Sequence, residues 1–175
     1  MRASVFIATT TDGFIARKDG GLDWLTGADP GDEDYGFEAF MASVDALVMG
    51  RNTFDFVMTT GEWAYGETPV LVLTNRRLEL LPGFPGRVEP LGLSPEAVAG
   101  ELDRRGIEHV YVDGGETIRS FLRAGLVRRM IVTRLPVLIG TGIPLFGDLD
   151  ADVDLRLVRS TAYENSWVQL EYEVI

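Results

Sequence analysis

The chain has 175 residues, no cysteine, a single histidine, and 27 acidic against 16 basic residues for a formal net charge of −11. Without thiols there are no disulfides, zinc–cysteine centres or cysteine nucleophiles, and the lone His109 leaves no histidine-rich metal site. An acidic surface repels nucleic acid and anionic membrane, so neither is an expected partner, and any anion site has to be local.

Ser4 to Thr9 form a short apolar run stopped by Thr10-Thr11-Asp12-Gly13, the pattern of a buried strand entering a loop. A Gly- and Asp-rich loop follows from about Asp19 to Asp32, in which Leu22, Trp24 and Leu25 are apolar enough to be pinned against something. Phe37, Phe40, Met41 and Val44 fall on one face of a helix. Ala46 to Met49 is a second strand, ended by Gly50, after which Arg51-Asn52-Thr53 opens a helix carrying Phe54, Val57 and Met58 on one side. Val70 to Leu73 is a third strand, stopped by Thr74-Asn75-Arg76.

Residues 81 to 93 are rich in proline and glycine and predict loop with one short strand near Val88. Ser94-Pro95 is an N-cap with proline at the first helical position, and Gly106 ends that helix. His109 to Val112 is a fourth strand, and the helix after Gly115 carries Ile118, Phe121, Leu122 and Leu126 at helical spacing. Met130 to Ile139, Leu155 to Tyr163 and Trp167 to Val174 read as strands, the last two joined by Glu164-Asn165-Ser166 and therefore antiparallel.

Alternating strands and helices followed by strands alone predict an α/β fold, a mainly parallel central sheet with a C-terminal antiparallel hairpin. No linker or repeat divides the chain, so residues 1–175 are expected to form one domain. No stretch reaches the roughly 18 apolar residues of a membrane span, and no leader pattern precedes the first strand, so a cytoplasmic protein is expected.

In open α/β sheets ligands collect at the carboxyl ends of the strands. Three such ends carry Gly50-Arg51-Asn52-Thr53, Thr74-Asn75-Arg76 and Gly114-Gly115-Glu116-Thr117. Glycines let a phosphate approach bare backbone at a helix N-terminus, and Arg51 and Arg76 offer guanidinium forks. Taken alone, Gly114-Gly115 is better explained as a tight turn, and it lacks the G-x-G-x-x-G spacing of an ordinary dinucleotide fingerprint.

Together, Thr10-Thr11-Asp12-Gly13-Phe14-Ile15-Ala16, Leu22-Asp23-Trp24-Leu25, Met49-Gly50-Arg51-Asn52-Thr53-Phe54, Asp113-Gly114-Gly115, Pro136-Val137-Leu138-Ile139-Gly140 and Gly142-Ile143-Pro144-Leu145-Phe146 resemble, in order and spacing, the riboflavin-biosynthesis reductase (RibD C-terminal) family. The resemblance implies a three-layer fold like that of dihydrofolate reductase and an NADPH-dependent reduction of a pterin-, pyrimidine- or riboflavin-precursor-like heterocycle. By carry-over Gly50, Arg51 and Thr53 meet the adenosine-side phosphates, Thr74 and Arg76 the ribose 2′-phosphate, and Gly114, Gly115, Glu116, Thr117 and Ile118 the pyrophosphate. Ala8 and Ile15 flank the nicotinamide, and the Gly114–Gly115 peptide is expected to be cis.

Asp12 and Asp34 are the acids expected at the substrate end. Asp-Gly after threonines is also a good turn, and acids in a first helical turn are favoured by the helix dipole without catalysis. Trp24 is the expected substrate platform, with Trp63 and Tyr65 as further aromatic candidates. The segment from Asp12 to Gly36 has only Arg17 and Lys18 as basic residues among many acids, which argues against a phosphorylated substrate. His109 reads as structural. A cofactor-binding regulatory or assembly protein without turnover is the alternative to the reductase. Relatives also suggest a homodimer, with Val168, Leu170, Tyr172 and Val174 at period two facing either a partner or the chain's own core.

Overall fold

The computed structural model describes residues 1–28, 33–61, 63–80 and 82–175. Eight strands form one sheet: β1 (Arg2–Thr10), β3 (Ala46–Gly50), β4 (Val70–Leu73), β5 (Val88–Pro90), β6 (His109–Asp113), β7 (Val127–Leu135), β9 (Leu155–Ala162) and β10 (Val168–Val174), in the order β5-β4-β3-β6-β1-β7-β10-β9. From β5 to β7 every pairing is parallel, and β10 runs antiparallel to both β7 and β9. This is the expected parallel sheet with its hairpin.

Strands β3, β4 and β6 are apolar on both faces because helices cover both. On one face α4 (Pro95–Arg104) and α5 (Gly115–Arg123) bring Val98, Leu102, Ile118 and Phe121 against Val5, Val48 and Val112. On the other, α2 (Phe37–Met41) and α3 (Arg51–Thr60) bring Phe40 and Phe54 against Leu47, Met49 and Tyr111. Trp24, Leu135 and Trp167 form a third cluster under the hairpin, which is what pins the Gly- and Asp-rich loop. Of the period-two residues of β10, Tyr172 and Val174 pack partly on the first core, while Val168 is exposed.

Several boundaries differ from expectation. Trp24 lies on a short helix, α1 (Asp23–Thr26), and a two-stranded antiparallel sheet forms from β2 (Phe14–Ala16) and β8 (Ile143–Pro144); both are too short to show a period. Helix α2 stops at Met41, where the Ser43 hydroxyl donates to the Phe40 carbonyl, and Val44 is buried from outside it. Helix α5 ends at Arg123 because Gly125 adopts a φ of 63° and the N–H groups of Gly125 and Leu126 return to the carbonyls of Leu122 and Phe121, so Leu126 reaches the core after the helix. Strand β7 ends at Leu135 before Pro136, which has no N–H to give. Asp29 to Asp32 of the expected loop lie outside the described residues.

Candidate functional site

Strands β3 and β6 are parallel neighbours, so α3 and α5, which leave their carboxyl ends, start side by side. Neither start has a side-chain cap: Gly50 precedes α3 and Gly114 precedes α5. The first N–H groups of both helices therefore open at one place with their dipoles aligned towards it. The two corners interlock. A Cβ on Gly50 would stand 3.0 Å from the Thr117 Oγ1, and a Cβ on Gly114 would stand 2.3 Å from the Thr53 Oγ1. Gly115 lies under Ile15 of β2, whose Cδ1 would be 2.6 Å from an added Cβ. Gly50, Thr53, Gly114, Gly115, Thr117 and Ile15, distant in sequence, thus meet in one place.

The Gly114–Gly115 peptide is trans, as are all peptides of the described residues, which corrects the cis expectation. The corner is turned instead at Gly114, with a φ of 90° and a ψ of 134°, a conformation that side chains rarely permit.

Arg51 donates through Nε to Asp55 at 2.7 Å and through Nη1 to the Arg77 carbonyl at 3.2 Å, tying the start of α3 to the loop after β4. A guanidinium has five N–H donors, so three remain for an anion. Thr74 turns that loop by accepting the Arg76 N–H at 3.1 Å, and the Arg76 side chain is exposed. Glu116 directs its carboxylate to Arg119 and Arg123, leaving only its backbone N–H for a ligand. Ile118 does not face the site: its N–H bonds the Gly114 carbonyl at 2.8 Å and its side chain is fully buried.

The expected acids are placed differently. Asp12 accepts from the Thr10 hydroxyl at 2.5 Å and from the N–H groups of Ile139 and Gly140 at 3.1 and 2.7 Å. The Thr10 bond first, then the backbone donors, hold its carboxyl below the usual range. It fastens the turn after β1 to the segment after β7 and is ionised. Asp34 accepts from Gly36 N–H at 2.8 Å and Glu38 N–H at 3.1 Å, bracing the turn that leads into α2, and those bonds also keep it ionised. Neither is poised to release a proton near neutral pH.

The sequence reading missed Asp113. It ends β6 next to Gly114, whose N–H it accepts at 2.8 Å, and it makes no ion pair among the described residues. Burial pushes its carboxyl up to about 6, partly offset by the Gly114 N–H and the Tyr111 hydroxyl. Its charge in turn adds to the burial that raises Tyr65 and Tyr111. The signal available in the sequence was an acid immediately before Gly-Gly at a strand end.

Side chains alternate along strands, so Asp113 shares a face with Tyr111, which donates to the Phe6 carbonyl at 2.8 Å. Phe6 and Ala8 occupy that same face of β1, and Ala8 packs on the Trp24 cluster. Trp24 is 7% exposed and its Nε1–H has no partner among the described residues, a buried donor in the cluster that Ala8 packs on. Trp63 and Tyr65 instead pack edge to face, 5.0 Å apart, with Trp63 donating to the Gly66 carbonyl. Among the described residues no His, Asp and Glu cluster is fit to hold a metal, and no helix is long and apolar enough to cross a membrane.

Residues 4–169 match the RibD C-terminal domain family. The chain belongs to that family. It is 39% identical, with a TM-score of 0.88, to the structure of a candidate riboflavin biosynthesis protein from Shewanella sp. PV-4, covering 100% of this chain and 99% of that one. It is 29% identical over 174 residues to the uncharacterised protein YwjB of Bacillus subtilis, covering 96% of this chain and 95% of the relative. It has the fold, at 15% identity and a TM-score of 0.72, of the bifunctional diaminohydroxyphosphoribosylaminopyrimidine deaminase and 5-amino-6-(5-phosphoribosylamino)uracil reductase of Thermotoga maritima, where it covers 56% of the longer chain.

Proposed function

We propose that this RibD C-terminal domain chain is an NADPH-dependent reductase of a small, unphosphorylated heterocycle. The observation that carries the reading is the interlock of Gly50 with Thr117 and of Gly114 with Thr53, which sets two uncapped helix starts side by side, an arrangement suited to an anion. The residues fit the cofactor. Gly114 and Gly115 keep the backbone of the corner bare, with Thr53 and Ile15 packed where a Cβ would stand, Thr53 and Thr117 add hydroxyls, and Arg51 and Arg76 stand at adjoining strand ends for the remaining phosphates.

When bound, NADPH supplies the hydride. The chain's own contribution is placement and a proton. Ile15, seated over Gly115, and Ala8 on β1 are the residues assigned to flank the flat ring. Asp113, uncharged below about pH 6, holds a proton beside that space, and the open Trp24 Nε1–H offers a donor to a substrate carbonyl. The few basic residues of the loop through Arg17 and Lys18 agree with an uncharged substrate; Arg17 itself is taken up by Asp23 at 2.6 and 2.8 Å.

Fluorescence titration with NADPH and NADH tests the reading. NADPH is expected to bind more tightly, and Arg76→Ala to erase a preference of about tenfold or more. Failure of both nucleotides to bind at millimolar concentration would sink the proposal. Binding of NADPH with no reduction of any pterin or aminopyrimidine in a broad panel would instead favour a regulatory protein.

A further inference from the structure

On the sheet face opposite Ala8 and Trp24, two adjoining cavities lie between strands β7, β10 and β9 and the segment from Leu145 to Leu155. One, of about 190 Å³, is lined by Thr9, Arg134, Val132, Leu170 and Tyr172 among others. The second, of about 200 Å³, is lined by Leu122, Leu149 and Val153, and the two share Met130, Phe146 and Leu155. Together they form one trench at the lower end of the roughly 300–1,000 Å³ that small-ligand sites occupy.

The trench is polar at one end only. Thr9 and Arg134 are register partners across β1 and β7, so their side chains line the same end. Thr9 is 2% exposed and its hydroxyl has no hydrogen-bond partner among the described residues. Arg134 makes no ion pair among the described residues, whereas Arg129 on the same strand pairs with Glu171 at 2.7 Å. An unpaired guanidinium beside an unsatisfied buried hydroxyl, in a chain of net charge −11, is a local anion seat. The other end is apolar throughout.

We propose that this trench binds an amphiphilic carboxylate, a medium-chain acyl or arylalkyl acid, with its head on Arg134 and Thr9 and its tail among Leu122, Met130, Leu149 and Val153. The charge complementarity selects an acid over a neutral lipid. A second copy of the chain pressed on the exposed rim at Phe146 and Leu155 would leave the Thr9 hydroxyl, at the inner wall, without a partner. The site is separate from the proposed cofactor seat and its test uses no turnover.

The experiment is calorimetric titration of the full chain with decanoate and with decanol, alongside sedimentation. Decanoate is expected to bind at one saturable site at least about tenfold more tightly than decanol, and Arg134→Gln, an exposed position, to bring decanoate down to the decanol level while leaving decanol unchanged. Thr9→Val, nearly isosteric, is expected to weaken decanoate as well. Equal affinities, no saturable binding at millimolar concentration, or an Arg134→Gln protein that binds decanoate as before would each overturn the proposal. So would a dimer that Phe146→Asp dissociates and that excludes decanoate.

Discussion

Gly114 has the least freedom of any residue in the site. Its backbone lies where side chains carry a cost of about 1–3 kcal/mol, and the space a Cβ would take belongs to Thr53. Gly114→Ala is therefore expected to lose stability by roughly that amount and to weaken NADPH by more than tenfold, read in parallel by thermal melting and nucleotide titration. Gly50→Ala, whose Cβ would meet only the Thr117 hydroxyl at 3.0 Å, should be milder on both counts. Asp113 makes a prediction with a defined sign. Its folded value, about 6, lies above the ordinary carboxyl value of 3.8, so the folded chain holds a proton that the unfolded chain has released between those values. Stability present below about pH 4 is lost as pH rises through about 6. Asp113→Asn should then raise stability at pH 8 by roughly 1–3 kcal/mol and leave it unchanged at pH 4, measured by urea titration at the two pH values. The same variant should slow reduction by about a hundredfold or more if Asp113 delivers the proton. Wild-type turnover should fall as pH rises through about 6.

The strand ends work as a unit because the opposite end of the sheet is locked. At the start of β6, the His109 Nδ1 lies 2.6 Å from the Ser43 carbonyl, which can only accept, so Nδ1 carries the hydrogen and Nε2 accepts from the Ser4 hydroxyl at 2.7 Å. Burial keeps the ring neutral by lowering its proton affinity. His109→Ala leaves the buried Ser4 hydroxyl and the part-buried Ser43 carbonyl without their ring partner and is expected to cost about 1–3 kcal/mol in a urea melt while NADPH affinity in the folded protein stays the same. The central elements were readable from sequence because their chemistry is local: β3, β4 and β6 are continuous apolar runs, and Ser94 with Pro95 announces α4. The glycine corners at the ends of β3 and β6 were readable for the same reason. What escaped was set by distant partners. β2 and β8 exist only through each other, Asp12 is claimed by the N–H groups of Ile139 and Gly140, and Asp113 acquires its raised proton affinity from burial. No pattern within ten residues of Asp12 or Asp113 separates the clamp from the proton holder.

At the scale of the whole chain, both free edges of the sheet are blunted. β5 is three residues long and ends in Pro90, and β9 carries Arg156 and Arg159, paired with Glu173 and Glu171 of β10. The strand without such protection is β1, which is an interior strand only once the molecule is complete. Its neighbours are β6 and β7, and Tyr111 bonds the Phe6 carbonyl across 105 residues of sequence. During synthesis from the N-terminus, Ser4 to Thr10 therefore leave the ribosome long before either neighbour exists. The apolar segment has to wait, unpaired and prone to stick, for the chain to reach Leu135. Stalled nascent chains ending before His109 are expected to be cut readily near β1 and to bind hydrophobic holdases, with protection appearing only after β7 has emerged.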